Sequence, residues 1–224
     1  SNEKKSLVDA LGLKAFSLFK QKKMAIFFIF SMLLGVSLQI TNSFANPFLF
    51  SFGAQPEFVN SFGVQHANIL ISLSQVSETC CILLIPFFMR HYGIKNVMLI
   101  AMFAWVLRFG LLGVGNPGNG VWLFVASMII YGVAFDFFNI SGSLFVDKST
   151  DPGLRSSAQG LFMLMTNGIG ATVGSFAAQA VVNAHTEGNV TEWSSCWYIF
   201  AGYALLVGVS FALMFQPTNQ AKAS

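Results

Sequence analysis

Charge is what this sequence has least of. Only 9% of its 224 residues are Asp, Glu, Lys or Arg, against about 25% in soluble domains. A soluble chain needs polar side chains to cover its surface, and this one cannot supply them. Cysteine is scarcer still: Cys80 and Cys81 lie inside an apolar run and Cys196 at the edge of another. That placement suits neither a disulfide framework nor a metal site, and no motif implies a cofactor. Histidine is missing where hydrolysis would need it. Ser141-Gly142-Ser143 lies near an intramembrane acid, but His66, His91 and His185 fall at run ends or in loops, away from any buried nucleophile. The chain is expected not to be an enzyme.

What is abundant is apolar. Hydrophobic residues make up 54% of the chain, and 25 Phe are spread along it. A membrane span takes roughly 20 predominantly apolar residues, and runs of that kind cover about 24–46, 65–89, 95–115, 121–146, 154–183 and 196–215. Pro47, Pro86, Pro117, Pro152 and Pro217 sit at or near their ends, where a lost N–H matters least. The reading is an all-α membrane protein: a six-helix bundle over 24–215, a basic linker over 1–23 and a short tail over 216–224. Six helices are compatible with two inverted three-helix repeats, although no self-similarity between 24–115 and 121–215 is visible.

The charges that exist alternate. Lys4, Lys5, Lys14, Lys20, Lys22 and Lys23 precede the first run; Arg90 and Lys95 follow the second, Lys148 and Arg155 the fourth, and Lys222 the sixth. Between the others stand Glu57, Glu187 and Glu192, with no Lys or Arg. Eleven of the twelve basic residues thus fall on one side, which the positive-inside rule makes the cytoplasm, with both termini there. The same cluster is a poor nucleic-acid site. Ser1-Asn2, without an initiating Met, reads as a cloning scar. Leu7, Leu11, Ala15 and Leu18 share a helical face, as in a basic helix lying on the cytoplasmic leaflet. A disordered linker is the alternative.

Three ionisable groups lie inside the runs: Glu78, Arg108 and Asp136. Such a group costs at least a few kcal/mol, which makes it a functional candidate. Gln75 and Glu78 are three residues apart, as are Gln39 and Asn42, so each pair shares a helix face at a similar depth. Interhelical hydrogen bonding is the plainer reading of the amides; it does not require the charge of Glu78. Tyr131, Phe135 and Asn139 line one face, with Asp136 about 100° away. A carboxylate beside rings suits a ligand with hydroxyl donors and a flat apolar part. Phe137 and Phe138 read as lipid-facing filler. Arg108 is expected to pair with an acid, with Asp136 at a matching depth, either as a clamp or in a proton relay. Gly168, Gly170 and Gly174, with Ser175 and Ala178, form a small-residue packing face.

Four strings carry a resemblance: Gln39-Ile-Thr-Asn42, Ser74-Gln-Val-Ser-Glu78, Ala104-Trp-Val-Leu-Arg-Phe-Gly110 and Phe135-Asp-Phe-Phe-Asn-Ile-Ser-Gly-Ser-Leu-Phe145. Together they resemble the nucleoside:proton symporter family of the major facilitator superfamily. The likeness runs from about 24 to 215 and matches the C-terminal six helices of a twelve-helix transporter. Arg90-His-Tyr-Gly-Ile-Lys95 resembles the short basic loop between the second and third helices of each half. The resemblance implies proton-driven nucleoside uptake, uridine for example, across a bacterial inner membrane by alternating access. It implies Gln39, Asn42, Gln75 and Glu78 on base and ribose, Tyr131 and Phe135 around the base, and Asp136 as an acid needed for transport. The proton falls to Asp136 or Glu78. The partners implied are nucleoside, protons, lipid and either the missing N-terminal half or a second copy. The rival expectations are a transporter of the same fold for another polar solute, such as a sugar or xanthosine, and a non-transporting six-helix subunit.

Overall fold

The computed structural model describes residues 13–217. The described residues are almost wholly helical: α1 (Lys22–Ser51), α2 (Ala67–Val114), α3 (Val121–Ser149), α4 (Arg155–Met163), α5 (Ala171–Ala184) and α6 (Trp193–Met214). A π-helical segment, Leu164–Gly170, joins α4 to α5 without a break, and a two-stranded hairpin, Thr186–Glu187 with Val190–Thr191, precedes α6. Among the described residues five helical rods are long and apolar enough to cross a membrane, α4 to α5 counting as one. Helix is the form such segments must take, since lipid offers no partner for an open backbone N–H or C=O.

α2 has 48 residues, about 72 Å at the usual rise per residue, far more than the roughly 30 Å of a hydrocarbon core. Gly93 interrupts it with φ 77° and ψ 171°, a left-handed conformation that glycine adopts without the Cβ penalty. The chain turns back there. Before α2, the Gly63 N–H bonds the Pro117 carbonyl at 2.9 Å, just past its far end; near the bend, Lys95 Nζ donates to Ala212 O at 2.9 Å, near the end of α6. The two ends of α2 therefore meet at one end of the bundle and the Gly93 bend lies at the other. Lys22 and Lys23 of α1 share a surface cavity with Met214 and Gln216, so α1 starts where α6 finishes.

The Phe content is mostly core. At the end near the described termini, Phe27 meets Phe138, Phe145, Phe162 and Phe215. At the opposite end, Phe48 packs on Phe124, Trp193 and Trp197. Between these aromatic layers lies a polar one, with Thr41, Ser77, Arg108, Ser127 and Asp136 all buried. Phe137 and Phe138 are 1% and 0% exposed, which corrects their reading as lipid-facing filler. α3 is apolar on every side, so the sequence offers no periodicity to tell lipid from core.

The small-residue face meets α1. A Cβ on Gly170 or Gly174 would run into Met32 and Val36 of that helix. Its counterpart is Gly35, whose added Cβ would overlap the Thr166 carbonyl, with the carbonyl carbon 2.8 Å away. Thr166 belongs to the π-helical segment, a form that occurs mostly as single-turn bulges. Pro47 and Pro86 lie inside α1 and α2, although run ends were expected for them. Ala15 and Leu18 are buried in a short 3₁₀ segment, Leu13–Lys20; Leu7, Leu11 and Ser1-Asn2 fall outside the described residues, as does most of the tail.

Candidate functional site

The polar layer opens into a cavity of about 210 Å³ between α1, the first arm of α2 and α3. Its formation begins with a close helix contact. Ser77 turns toward α3 and donates its hydroxyl to the Ile129 carbonyl. One turn on, a Cβ added to Gly132 would stand 2.5 Å from the Ser77 backbone, so the helices touch backbone to backbone there. With Ser77 held against α3, Ser74, Gln75 and Glu78 are carried round to line the cavity. α1 contributes Thr41, Asn42 and Asn46, and α3 contributes Met128 and Tyr131.

Arg108 forms the floor. It is 2% exposed, and Nε and Nη1 of its guanidinium are bonded to its surroundings. Nε donates to Thr41 Oγ1 at 3.3 Å and Nη1 to Ser127 O at 3.1 Å, with Ser127 Oγ at 3.4 Å and Met128 Sδ at 3.6 Å. Its Cζ lies 4.8 Å from the centre of the Tyr131 ring, a cation–π contact that is strongest when desolvated. The expected pairing with Asp136 is absent. Asp136 is eight residues beyond Met128, about 12 Å further along α3. Counting from run ends misplaced the two groups because packing sets the depth of a helix, which run length alone does not.

Asp136 is 3% exposed, and its Oδ2 has no hydrogen-bond partner among the described residues. Glu78 is close enough to act on it electrostatically, and Asp136 in turn acts on Cys81 and Tyr131. Two carboxylates and a phenol thus share one neighbourhood. Tyr131 stacks on Phe135, ring centres 5.9 Å apart and 15° from parallel.

The sequence-derived candidates therefore divide. Asn42, Gln75, Glu78, Tyr131 and Arg108 line one cavity; Gln39 does not, and gives its amide N–H to Ser43 at 2.9 Å. Phe135 lines a second cavity, just large enough for about one water, with Trp105 and Asn139. Sequence reasoning overlooked Thr41, Asn46 and Ser74. Asn46 is four residues past Asn42 and was open to the same spacing argument; Thr41 carries no such signal. Ser141 donates to its own helix, at the Phe137 carbonyl, and is no exposed nucleophile.

Chemically, this wall presents three amides that both donate and accept, one carboxylate that only accepts, and a ring surface. Ligand pockets usually enclose about 300–1,000 Å³, so 210 Å³ is less than a complete site.

The profile of the nucleoside H+ symporter family matches residues 1–220. The chain belongs to that family. The resemblance carried by the sequence strings is borne out, and a symporter family is not a family of enzymes. Among its members, nucleoside permease NupG of Escherichia coli (strain K12) is 56% identical over 212 residues, covering 94% of this chain and 51% of that protein. Xanthosine permease of the same organism is 53% identical over the same shares. The chain spans about half the length of the curated relatives it matches. Its fold is that of nucleoside transporter NupG, whose crystal structure superposes with a TM-score of 0.88 at 55% identity, covering 96% of this chain and 53% of that one.

Proposed function

We propose that this chain is the C-terminal half of a major facilitator transporter that takes up nucleosides with protons across a bacterial inner membrane. The observation that carries the reading is the half-open wall on which Asn42, Gln75, Glu78 and Tyr131 converge. A helix-gluing role would leave these groups dry and paired between helices, whereas Asn42 and Gln75 are exposed. That contrast also disfavours a non-transporting subunit.

Six spans follow from parity. Five rods that begin and end on one side must include one that crosses twice, and α2, bent at Gly93, has the length for it. The two halves α1–α2 and α3–α6 are then the inverted three-helix repeats of such a carrier. Lys22, Lys23, Arg90, Lys95, Lys148 and Arg155 fall at one end, which supports cytoplasmic termini by the positive-inside rule. The incomplete cavity and the half-length coverage of the relatives favour a companion N-terminal half over self-association.

In this mechanism Glu78 and the amides of Asn42, Asn46 and Gln75 hold ribose hydroxyls and base edges, with Tyr131 against the base; Gln39 and Phe135, which the resemblance also implied, stand outside this cavity. Arg108 keeps the Tyr131 ring in place from below. Asp136, buried and without a partner on Oδ2, takes the coupling proton. Protonation removes the cost of a bare charge when the cavity closes, which links proton binding to reorientation. The test is proton-driven uridine accumulation by the full-length protein carrying Glu78→Gln or Asp136→Asn. The Glu78 variant is expected to lose affinity by about 10–100-fold, the worth of a hydrogen bond to a charged group. The Asp136 variant is expected to lose accumulation against a gradient. Wild-type accumulation by both would overturn the reading. The 53% identity to xanthosine permease supports one alternative substrate, and competition by xanthosine against labelled uridine separates the two.

A further inference from the structure

Resting on the transport reading above, we propose that Asp147, presented by Gln159 and Ser143, is the group through which the coupling proton passes from Asp136 to the cytoplasm. Asp136, Ser143 and Asp147 are spaced by seven and four residues, which places all three on one stripe of α3. The steps are about 10 Å and 6 Å along the axis, and Asn139, half-buried, stands within the longer one. At the lower end α4 supplies a second residue. Gln159 Nε2 donates to Ser143 O at 2.8 Å and to Asp147 Oδ1 at 2.9 Å, while its Oε1 accepts from Ser143 Oγ at 3.1 Å. Both amide donors are used, and the Asp147 carboxylate is fixed by one oxygen with the other left open.

The charged groups around the two acids differ. Around Asp136, α2 contributes Glu78 and Cys81 and α3 itself contributes Tyr131. Around Asp147, α4 contributes Arg155, whose Nε donates to the Asp147 carbonyl at 3.0 Å. Its own helix adds Lys148, the following loop Asp151, and α1 brings Lys23 over the Phe145 ring at 5.6 Å. One acid lies buried at the polar layer and the other at the basic end of the bundle. In the step envisaged, the Asp136 carboxyl O–H bond breaks and the proton passes through water down this stripe of α3. It joins the open oxygen of Asp147 and then leaves to bulk water. Asp136 is left ionised and ready for the next cycle.

A network that merely clamps α3 to α4 would contain the same bonds, so the test must spare them. Asp147→Asn does so, because the asparagine Oδ1 still accepts from Gln159 while the side chain no longer takes up a proton. The full-length transporter is reconstituted in vesicles holding a pH-sensitive dye, and uridine-driven acidification is compared with uridine counterflow, which moves no net protons. The expected result for Asp147→Asn is acidification slowed at least about tenfold, counterflow at the wild-type rate, and recovery in Asp147→Glu. Acidification at the wild-type rate would overturn the proposal, and so would equal loss of acidification and counterflow, which marks a clamp. Absence of acidification in the wild-type protein is a separate result; it would remove the transport reading and this inference with it.

Discussion

Two glycine contacts in this bundle are built alike and do different things. At Gly132, α3 meets the backbone of Ser77 on α2, and at Gly35, α1 meets the Thr166 carbonyl in the π-helical segment. Both permit the backbone approach that small residues allow in lipid. Around Gly132 the neighbours are Ser77, Glu78, Tyr131 and Asp136, and the contact turns carboxylate and amide groups into a cavity. Around Gly35 they are Thr166, Met32 and Gly170, with Trp105, Phe135 and Asn139 across a cavity that holds about one water; no carboxylate stands among them, and the contact joins helices. A small-residue face by itself carries no functional information. The carboxylates one turn away from it do.

Substitution separates the two contacts. Gly35→Ala forces a methyl into a backbone carbonyl that cannot rotate away; the expected loss of stability is about 3 kcal/mol. It should appear as a lower melting temperature in detergent, with uridine affinity per folded molecule unchanged. Gly132→Ala meets the Ser77 hydroxyl as well as its backbone, part of which can move, so about 2 kcal/mol is expected. Here uridine affinity should fall about tenfold as Glu78 swings away from Tyr131, because a misplaced group loses its geometry. Equal effects of the two variants on affinity would erase the distinction. At the small end, Leu206 on α6 is 70% exposed, and Leu206→Ala should change stability by less than about 0.5 kcal/mol, with affinity intact.

The membrane character and most of the helix limits were legible because a helix that crosses lipid must be long and apolar throughout. Glu78 and Asp136 were legible for the complementary reason, since charge in such a run is costly. What escaped was rotation and depth. Nothing in the string around Arg108 says that Ser127 and Thr41, rather than Asp136, would reach it. Phe137 and Phe138 look identical to lipid-facing rings because a helix apolar on all sides has no marked face. The π-helical turn at Leu164–Gly170 leaves no compositional trace, and Gly35, its partner across the helix pair, sits alone in an apolar run. Lys95 was read as a topology signal, and its bond to Ala212 came only with the fold.

The most direct test of the cavity is a cycle that removes one partner at a time. Binding of uridine and of 2′,3′-dideoxyuridine to the full-length protein is measured calorimetrically, in wild type and in Glu78→Gln. If Glu78 holds the ribose hydroxyls, deleting those hydroxyls weakens binding to wild type by about 10–100-fold and has little effect in the variant. An equal penalty for the dideoxy ligand in both proteins would contradict the assignment of this wall as the nucleoside site.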